Sequence, residues 1–267
     1  PEDIRRITRD ALYEFYRRSL RPESLLATTA GPVPLDEVER ELGALLGGVL
    51  ISAEAAATRA EMTPAFRSVS SYLAADMEQV HYYEALQLEP PFAMKDYLAL
   101  AALNGALGEA SSSRLFQSLR ERLGLCYSVY SAFSLDASEC LWMASANVST
   151  KQLPRLAAEL ARELDAVASN GLEPQECRDS VSRLAGSFEI SLDDPDFRMR
   201  RIARQILFAG RALDIEETRA RIQAVSLDEV NAMCARLLSG RDRARFAYGR
   251  RSGPAARALG LEEVGGE

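Results

Sequence analysis

Apolar residues recur at helical spacing in two short stretches near the beginning of the chain. In residues 8–16, Leu12, Phe15 and Tyr16 fall on one face of a helix that Thr8 would cap. Residues 36–46 repeat the same spacing. Between them, residues 24–30 are small and β-branched, which predicts a strand. A helix, a strand and a helix are too little to close a core without further elements.

The pattern changes from residue 66 onward, where alternating strands surround two apolar helices and a long helical region follows. Strands are predicted at residues 66–73, 77–88, 126–135, 139–148 and 245–249. Helices are predicted at residues 93–107, 112–123, 152–169, 173–192, 195–208, 216–224 and 227–238. Ser226 and Glu229 form a capping box at the start of the last helix. This order predicts an α+β fold and argues against a doubly wound sheet.

Two segments lack such periodicity. Residues 48–64 are rich in alanine and small polar residues, and we interpret them as a connector, with a helix as the alternative because alanine favours helices. The tail from residue 252 has little apolar periodicity and is expected to be loose.

Composition narrows the functional classes. The chain has 267 residues, 47% hydrophobic and 27% charged, which is typical of a globular protein. No window approaches the roughly 20 unbroken apolar residues of a membrane helix. The formal net charge of −7 disfavours binding to nucleic acid. The sequence leaves the compartment open, with the cytoplasm slightly favoured over the periplasm.

Familiar catalytic motifs are absent from the sequence. It contains no HExxH or HxxEH zinc motif, no nucleophile elbow and no phosphate-binding glycine loop. The single histidine, His81, falls in a predicted strand; it is either an ordinary strand residue, the base of a nucleophile or a lone metal ligand. The four cysteines form no CxxC pair, so we interpret them as buried thiols.

Arg120 and Tyr127 are the strongest candidates for chemistry. Arg120 lies near the end of a predicted helix, Gly124 turns the chain, and Tyr127 begins a strand. A guanidinium and a phenol brought to one place can hold a peptide carbonyl or the oxyanion formed from it. The alternative is a solvated cation at the helix terminus and an ordinary strand aromatic.

The sequence around these two residues resembles a known family. Residues 112–117 read SSRLFQ, residues 119–121 read LRE, Gly124-Leu125 follows, and residues 127–129 read YSV. The run is similar to the C-terminal part of the pitrilysin/insulinase family of zinc metallopeptidases, which includes the mitochondrial processing peptidase. Further matching segments follow the family's order; they are Ile7 to Phe15-Tyr16, Ala30-Gly31, Gln79-Val80-His81, Leu172 to Glu176 and Ile222 to Val230.

The resemblance implies an architecture: an antiparallel sheet with helices packed on it, of the processing-peptidase (LuxS/MPP-like metallohydrolase) type. It implies that residues 1–47 end a first α+β unit, 48–64 connect, 65–250 form a complete second unit and 251–267 are a tail. The zinc motif is expected before Pro1, so this chain should hold no catalytic or metal-binding residue. Arg120 and Tyr127 match the family's substrate-binding arginine and tyrosine. One departure is the glycine-rich turn, which here reads LGEAS at residues 107–111 and keeps only Gly108.

The resemblance implies the substrate-enclosing C-terminal portion of a zinc-dependent endopeptidase, inactive alone, with zinc and the general base supplied by an absent part or a partner subunit. The expected partners are a peptide or protein substrate and either a second copy or a zinc-bearing half, since Leu12, Phe15 and Leu25-Leu26 need cover. The alternative is a non-catalytic member that is structural or binds peptides. An unrelated α+β binding module is a third possibility.

Overall fold

The computed structural model describes residues 2–19, 25–47, 66–89, 92–135, 139–240, 242–249 and 252–264. The helices are α1 (Glu2–Arg6), α2 (Arg9–Ser19), α3 (Leu35–Leu46), α4 (Met94–Asn104), α5 (Leu153–Asn170), α6 (Pro174–Ser191), α7 (Pro195–Ala209), α8 (Ile215–Gln223), α9 (Leu227–Leu238) and α10 (Ser252–Ala258). The strands are β1 (Ser70–Ala74), β2 (Val80–Leu88), β3 (Cys126–Leu135), β4 (Cys140–Val148), β5 (Ala244–Gly249) and β6 (Glu262–Glu263). Two π-helical segments span Gly105–Glu109 and Phe116–Arg122.

The six strands form one mixed sheet in the order β3-β4-β2-β5-β1-β6. Strands β3, β4, β2 and β5 pair antiparallel, as predicted. Strand β1 departs from that pattern because it runs parallel to both of its neighbours, β5 and β6. A parallel pair needs a long crossover, and the chain between β1 and β5, which contains three strands and helices α4 to α9, provides one. The α+β class is confirmed.

Helices cover one face of this sheet. Along β2 every second residue is buried from Val80 to Leu88, while the residues between them are partly exposed. Trp142 of β4 and Tyr72 of β1 are buried on the covered face with side chains of α4, α5 and α9. Buried Asn104 links helix to sheet, since its side-chain oxygen accepts hydrogen bonds from Ser131 Oγ (2.7 Å) and Trp142 Nε1 (3.1 Å). The other face lacks a helical layer among the described residues and therefore remains partly open.

Helix termini follow the local sequence signals. Ser226 caps α9 and Glu229 completes the capping box, as predicted. Helix α5 ends at Gly171, whose φ of +72° is in a region that favours glycine. The helix predicted at 93–107 begins as α4 and continues through Gly108 as the π-helical segment Gly105–Glu109.

Two expectations differ from the structure. Residues 25–30 of the predicted first strand form no ladder, because the described residues place no strand beside them. Ser24 and the predicted connector at 48–64 lie outside the described residues. The tail expected to be loose contains α10 and β6. It is held because Ala256 and Leu261 are buried and Tyr72 Oη donates a hydrogen bond to Glu263 Oε2 at 2.6 Å.

The N-terminal helices stand apart from the core. None of the described residues in 2–47 is buried. Leu12 is 59% exposed and Phe15 is 68% exposed, although both are apolar residues of α2. Leu25 and Leu26 are also exposed. The apolar surface predicted to need cover is therefore uncovered in this chain.

Candidate functional site

Arg120 is presented by the π-helical segment Phe116–Arg122. Leu123 N donates to Ser118 O at 3.1 Å, a bond of π-helical spacing. Gly124 then reverses the chain with φ +59°, and Leu125 N donates back to Leu119 O at 2.9 Å. The predicted helix end and reversal are both present, and π-helical turns of this kind are frequent at functional sites.

Tyr127 is presented by an irregularity in the edge strand β3. Cys126 pairs with Val148 and Ser128 pairs with Asn147, so Tyr127 is an extra residue in the ladder. Such a bulge redirects a side chain out of the regular alternation. The ring of Tyr127 is accordingly 75% exposed, although its neighbour Cys126 is buried.

The structure brings these two predicted site residues together. The guanidinium carbon of Arg120 lies 5.5 Å from the ring centroid of Tyr127 and 4.6 Å from that of Phe116. Arg120 is thus fixed by cation–π contacts with two rings, and its side chain is still 38% exposed. Its Nε is 3.7 Å from Glu121 Oε1, an ion-pair distance. The arrangement offers a positioned guanidinium and a phenol at one accessible point.

Other residues of the SSRLFQ run hold the segment in place. Arg114 donates two hydrogen bonds to Glu176 on α6, Nε to Oε1 at 2.9 Å and Nη2 to Oε2 at 2.6 Å. Gln117 Nε2 donates to Ser111 O at 2.7 Å, closing the turn before the segment. Ser118 Oγ, just after the run, donates to the buried Glu163 of α5 at 2.6 Å. Sequence reasoning missed this supporting role of Arg114, because Glu176 is distant in sequence.

The remaining glycine of the LGEAS turn is required by close packing. A Cβ on Gly108 would come 2.6 Å from the backbone nitrogen of Ser131. The following Glu109 accepts hydrogen bonds from Asn104 Nδ2 at 3.3 Å and from Arg183 Nη2 at 3.4 Å. In this chain the turn is therefore an anchored junction between α4, α6 and β3.

The open face of the sheet carries a cross-strand row of aromatic and small side chains. Tyr130 pairs with Ser145, Ser145 pairs with Tyr83, and Tyr83 pairs with Phe246. The rings of Tyr83 and Phe246 are 6.4 Å apart. This row is an apolar surface that an extended chain or another sheet could cover.

His81 lies on this open face, in β2, as the sequence predicted. Its register neighbours are Asn147 and Tyr248. In the described parts of the chain, no group of three His, Cys, Asp or Glu side chains is placed to hold a metal ion. The described residues therefore do not fit a zinc site, and we derive no zinc chemistry from them.

The four cysteines are free thiols and all are buried, as interpreted from the sequence. Burial raises the pKa of Cys126 to about 11 and that of Cys140 and Cys234 to about 12. Burial also raises the pKa of Cys177. Thiols in such surroundings are poor nucleophiles and poor metal ligands.

No helix in the described residues is both long and apolar enough to cross a membrane.

Comparison with known proteins identifies the family. Residues 6–184 match the family described as "Peptidase M16 inactive domain". An uncharacterized zinc protease of Mycobacterium tuberculosis is 34% identical over 245 residues, covering 88% of this chain and 54% of that protein. The chain belongs to the peptidase M16 family, and the resemblance seen in the sequence is confirmed. The chain spans about half the length of the curated relatives that it matches.

Solved structures share the fold. A protease from Helicobacter pylori superposes with a TM-score of 0.77 at 15% identity, covering 93% of this chain and 60% of that one. A peptidase M16 inactive domain from Pseudomonas fluorescens gives a TM-score of 0.71 at 19% identity, covering 93% of this chain and 59% of that one. These likenesses show the architecture.

Proposed function

We propose that this chain is the substrate-enclosing portion of a zinc-dependent endopeptidase, with zinc and the general base supplied by a separate zinc-bearing half. The juxtaposition of Arg120 and Tyr127 supports this proposal most strongly. A guanidinium and a phenol can both donate hydrogen bonds to a peptide carbonyl, and their donation strengthens when that oxygen becomes negatively charged.

The way the two side chains are held also supports a binding role. Arg120 is stacked on two rings and therefore loses little freedom when it engages a ligand. Tyr127 is exposed by a bulge, although a regular strand would have paired that position. Neither arrangement is needed to build the core, because both side chains lie outside it.

Two surfaces support association with a zinc-bearing half. One is the partly open sheet face with Tyr83, Tyr130 and Phe246. The other is the exposed apolar side of α2 with Leu12 and Phe15. Exposed apolar surface of this kind is typical of interaction sites. We propose that these surfaces are covered by a second α+β half, which would enclose a peptide between the two.

The test reconstitutes this chain with a polypeptide of the same family that bears the HxxEH motif and follows cleavage of a quenched fluorescent peptide. We expect no cleavage by the chain alone and chelator-sensitive cleavage by the pair. Tyr127→Phe and Arg120→Gln in this chain should each lower kcat by about 100-fold, because each removes a donor to the developing oxyanion. The matched control is Arg200→Gln, which removes an exposed guanidinium of α7 outside both proposed surfaces and should leave kcat within about twofold.

If Tyr127→Phe and Arg120→Gln are both as active as the Arg200→Gln control, Arg120 and Tyr127 are removed from the proposal. A second candidate is a non-catalytic subunit that binds peptides or other subunits. The anchored Glu109 favours it, since this residue and Ala110 occupy a turn that is glycine-rich in the peptidases that the sequence resembles. Stable binding of the zinc-bearing half without any cleavage would support this candidate over the first.

A further inference from the structure

A polar cleft lies on the helix-covered side of the sheet, away from Arg120 and Tyr127. It has a volume of about 460 Å³ and opens between β1, β2, β5 and the C-terminal half of α5. Its polar side chains are those of Ser68, Ser70, Glu84, Asp165, Asp242, Arg243 and Arg245. Tyr127 lies on the edge strand β3, whereas this cleft lies at the opposite half of the strand order, so the two places are separate.

Glu84 at the floor of the cleft has an unsatisfied carboxylate oxygen. The residue is only 2% exposed. Tyr82 Oη donates to Oε1 at 2.9 Å, but Oε2 accepts no hydrogen bond from any described residue. A buried carboxylate oxygen without a donor is costly, and native proteins satisfy nearly all such atoms. Glu84 is among the residues that line the cleft, so the cleft is where such a donor would have to bind.

The guanidinium of Arg243 lies at ion-pair distance from that oxygen but donates no hydrogen bond to it. Arg243 Nη1 is 3.7 Å from Glu84 Oε2, beyond hydrogen-bond distance, while Arg243 Nη2 is bonded to Asp165. Arg245 pairs with Glu84 across β2 and β5, and with Ser70 across β5 and β1. The cleft therefore presents an acceptor and cationic donors within one small space.

This combination restricts the chemistry of a ligand. A simple anion would leave Oε2 without a donor and would face the carboxylates of Glu84, Asp165 and Asp242. A simple cation would face the guanidinium groups of Arg243 and Arg245. A molecule with an ammonium and a carboxylate a few ångströms apart satisfies both sets of groups. The volume suits a small molecule and is too small for a folded partner.

We propose that this cleft binds a small zwitterion, a free α-amino acid or a di- or tripeptide with its two oppositely charged ends, placing the ammonium on Glu84 and the carboxylate at Arg245. Burial raises the pKa of Glu84, and a ligand ammonium at Oε2 would favour the ionised form again. The binding site goes beyond the peptidase role and does not depend on it.

The test is calorimetric titration of the 267-residue chain with glycine, glycylglycine and triglycine, and with acetate and methylammonium as single-charge probes. We expect saturable binding of at least one zwitterion and binding at least about tenfold weaker for both single-charge probes. The order among the three zwitterions separates a free amino acid from a short peptide. Binding of acetate as tight as that of the best zwitterion would overturn the proposal, as would the absence of saturable binding by any zwitterion.

Two variants locate the site. Glu84→Gln keeps an acceptor for Tyr82 but removes the charge, and should weaken zwitterion binding by about tenfold or more. Arg245→Gln removes the proposed partner of the ligand carboxylate and should weaken zwitterion binding to the same extent. This variant tests the site if circular dichroism shows that Glu84→Gln does not fold. The matched control is Glu159→Gln, a partly buried carboxyl of α5 that does not line the cleft, and it should bind like the parent chain. Unchanged binding in the folded Glu84 and Arg245 variants would overturn the proposal.

Discussion

Arg114 and Glu176 join the SSRLFQ segment to helix α6 through two parallel hydrogen bonds of 2.9 and 2.6 Å. The pair is largely shielded from water, and Glu176 also accepts a hydrogen bond from Glu173 N at 2.9 Å, within the capping box of α6. One carboxylate thus fixes both a helix start and the segment that presents Arg120.

Replacing Arg114 should therefore destabilise the fold. Arg114→Met keeps the length of the aliphatic stem but leaves Glu176 without its charged partner, and we expect a loss of about 2 kcal/mol in the free energy of unfolding. The measurement is urea denaturation followed by circular dichroism. The control is Arg200→Ala, which removes an exposed ion pair with Asp196 and should cost about 0.5 kcal/mol or less. Similar losses in both variants would contradict the structural role of Arg114.

Gly108 should not tolerate a methyl group. Gly108→Ala would place a Cβ against the backbone of Ser131, which cannot rotate away, and we expect a loss of about 1–3 kcal/mol. Gly186→Ala is the matched control within α6, where no atom lies within 4 Å of the added Cβ. That change should stabilise the protein by about 0.5–1 kcal/mol, because alanine favours a helix interior over glycine. Thermal unfolding of both variants against the parent chain measures the difference, and a neutral Gly108→Ala would show that the junction is looser than the structure indicates.

The cysteines should be protected from thiol reagents in the folded protein. Burial holds all four thiols protonated at about pH 8, because their pKa values are raised and the thiolate is the reactive form. We expect no rapid reaction with a disulfide reagent under native conditions and release of four equivalents in denaturant. Fast native labelling of any one thiol, mapped by mass spectrometry, would show local opening around it.

Glu217 should contribute to acid sensitivity. Hydrogen bonds from Arg211 and Arg221 lower its pKa from 4.5 to about 2. Because the folded value lies below the unfolded one, this contribution to stability is present above about pH 4.5 and is lost as the pH falls toward 2. Glu217→Gln should thus lose less stability than the parent between about pH 5 and pH 2. The control is Glu39→Gln, which replaces an exposed carboxyl on α3. The free energy of unfolding of this variant should fall with pH in the same way as that of the parent. A parallel decline of Glu217→Gln and the parent would refute the assignment.

The sequence predicted elements well where local signals decide them. The capping box at Ser226, the alternation along β2 and the reversal at Gly124 all depend on neighbouring residues, and the structure has each of them. The helix end and the reversal at Gly124 also indicated that Arg120 and Tyr127 could meet at one point, and their side chains do. Their role in binding substrate, which the resemblance implies, stays a proposal.

Other features could not be predicted because they depend on partners that are distant in sequence. The strand expected at residues 24–30 has suitable residues but no described neighbour to pair with. Tail residues 252–264 have weak periodicity, yet they are ordered by Tyr72, which lies far earlier in the chain. The Glu84 cleft was missed for the same reason, since strand pairing and α5 assemble its charges from separate segments.

Among the strands of the described residues, β1 comes first along the sequence, yet both of its neighbours, β5 and β6, come last. A nascent polypeptide therefore cannot pair β1 with its neighbours until the residues of β5 have been synthesised. Such distant pairing raises contact order and slows the final closure of the sheet. Premature termination before residue 244 would leave β1 with neither neighbour and β2 as an exposed sheet edge, so C-terminal truncation should cause aggregation rather than a smaller folded product.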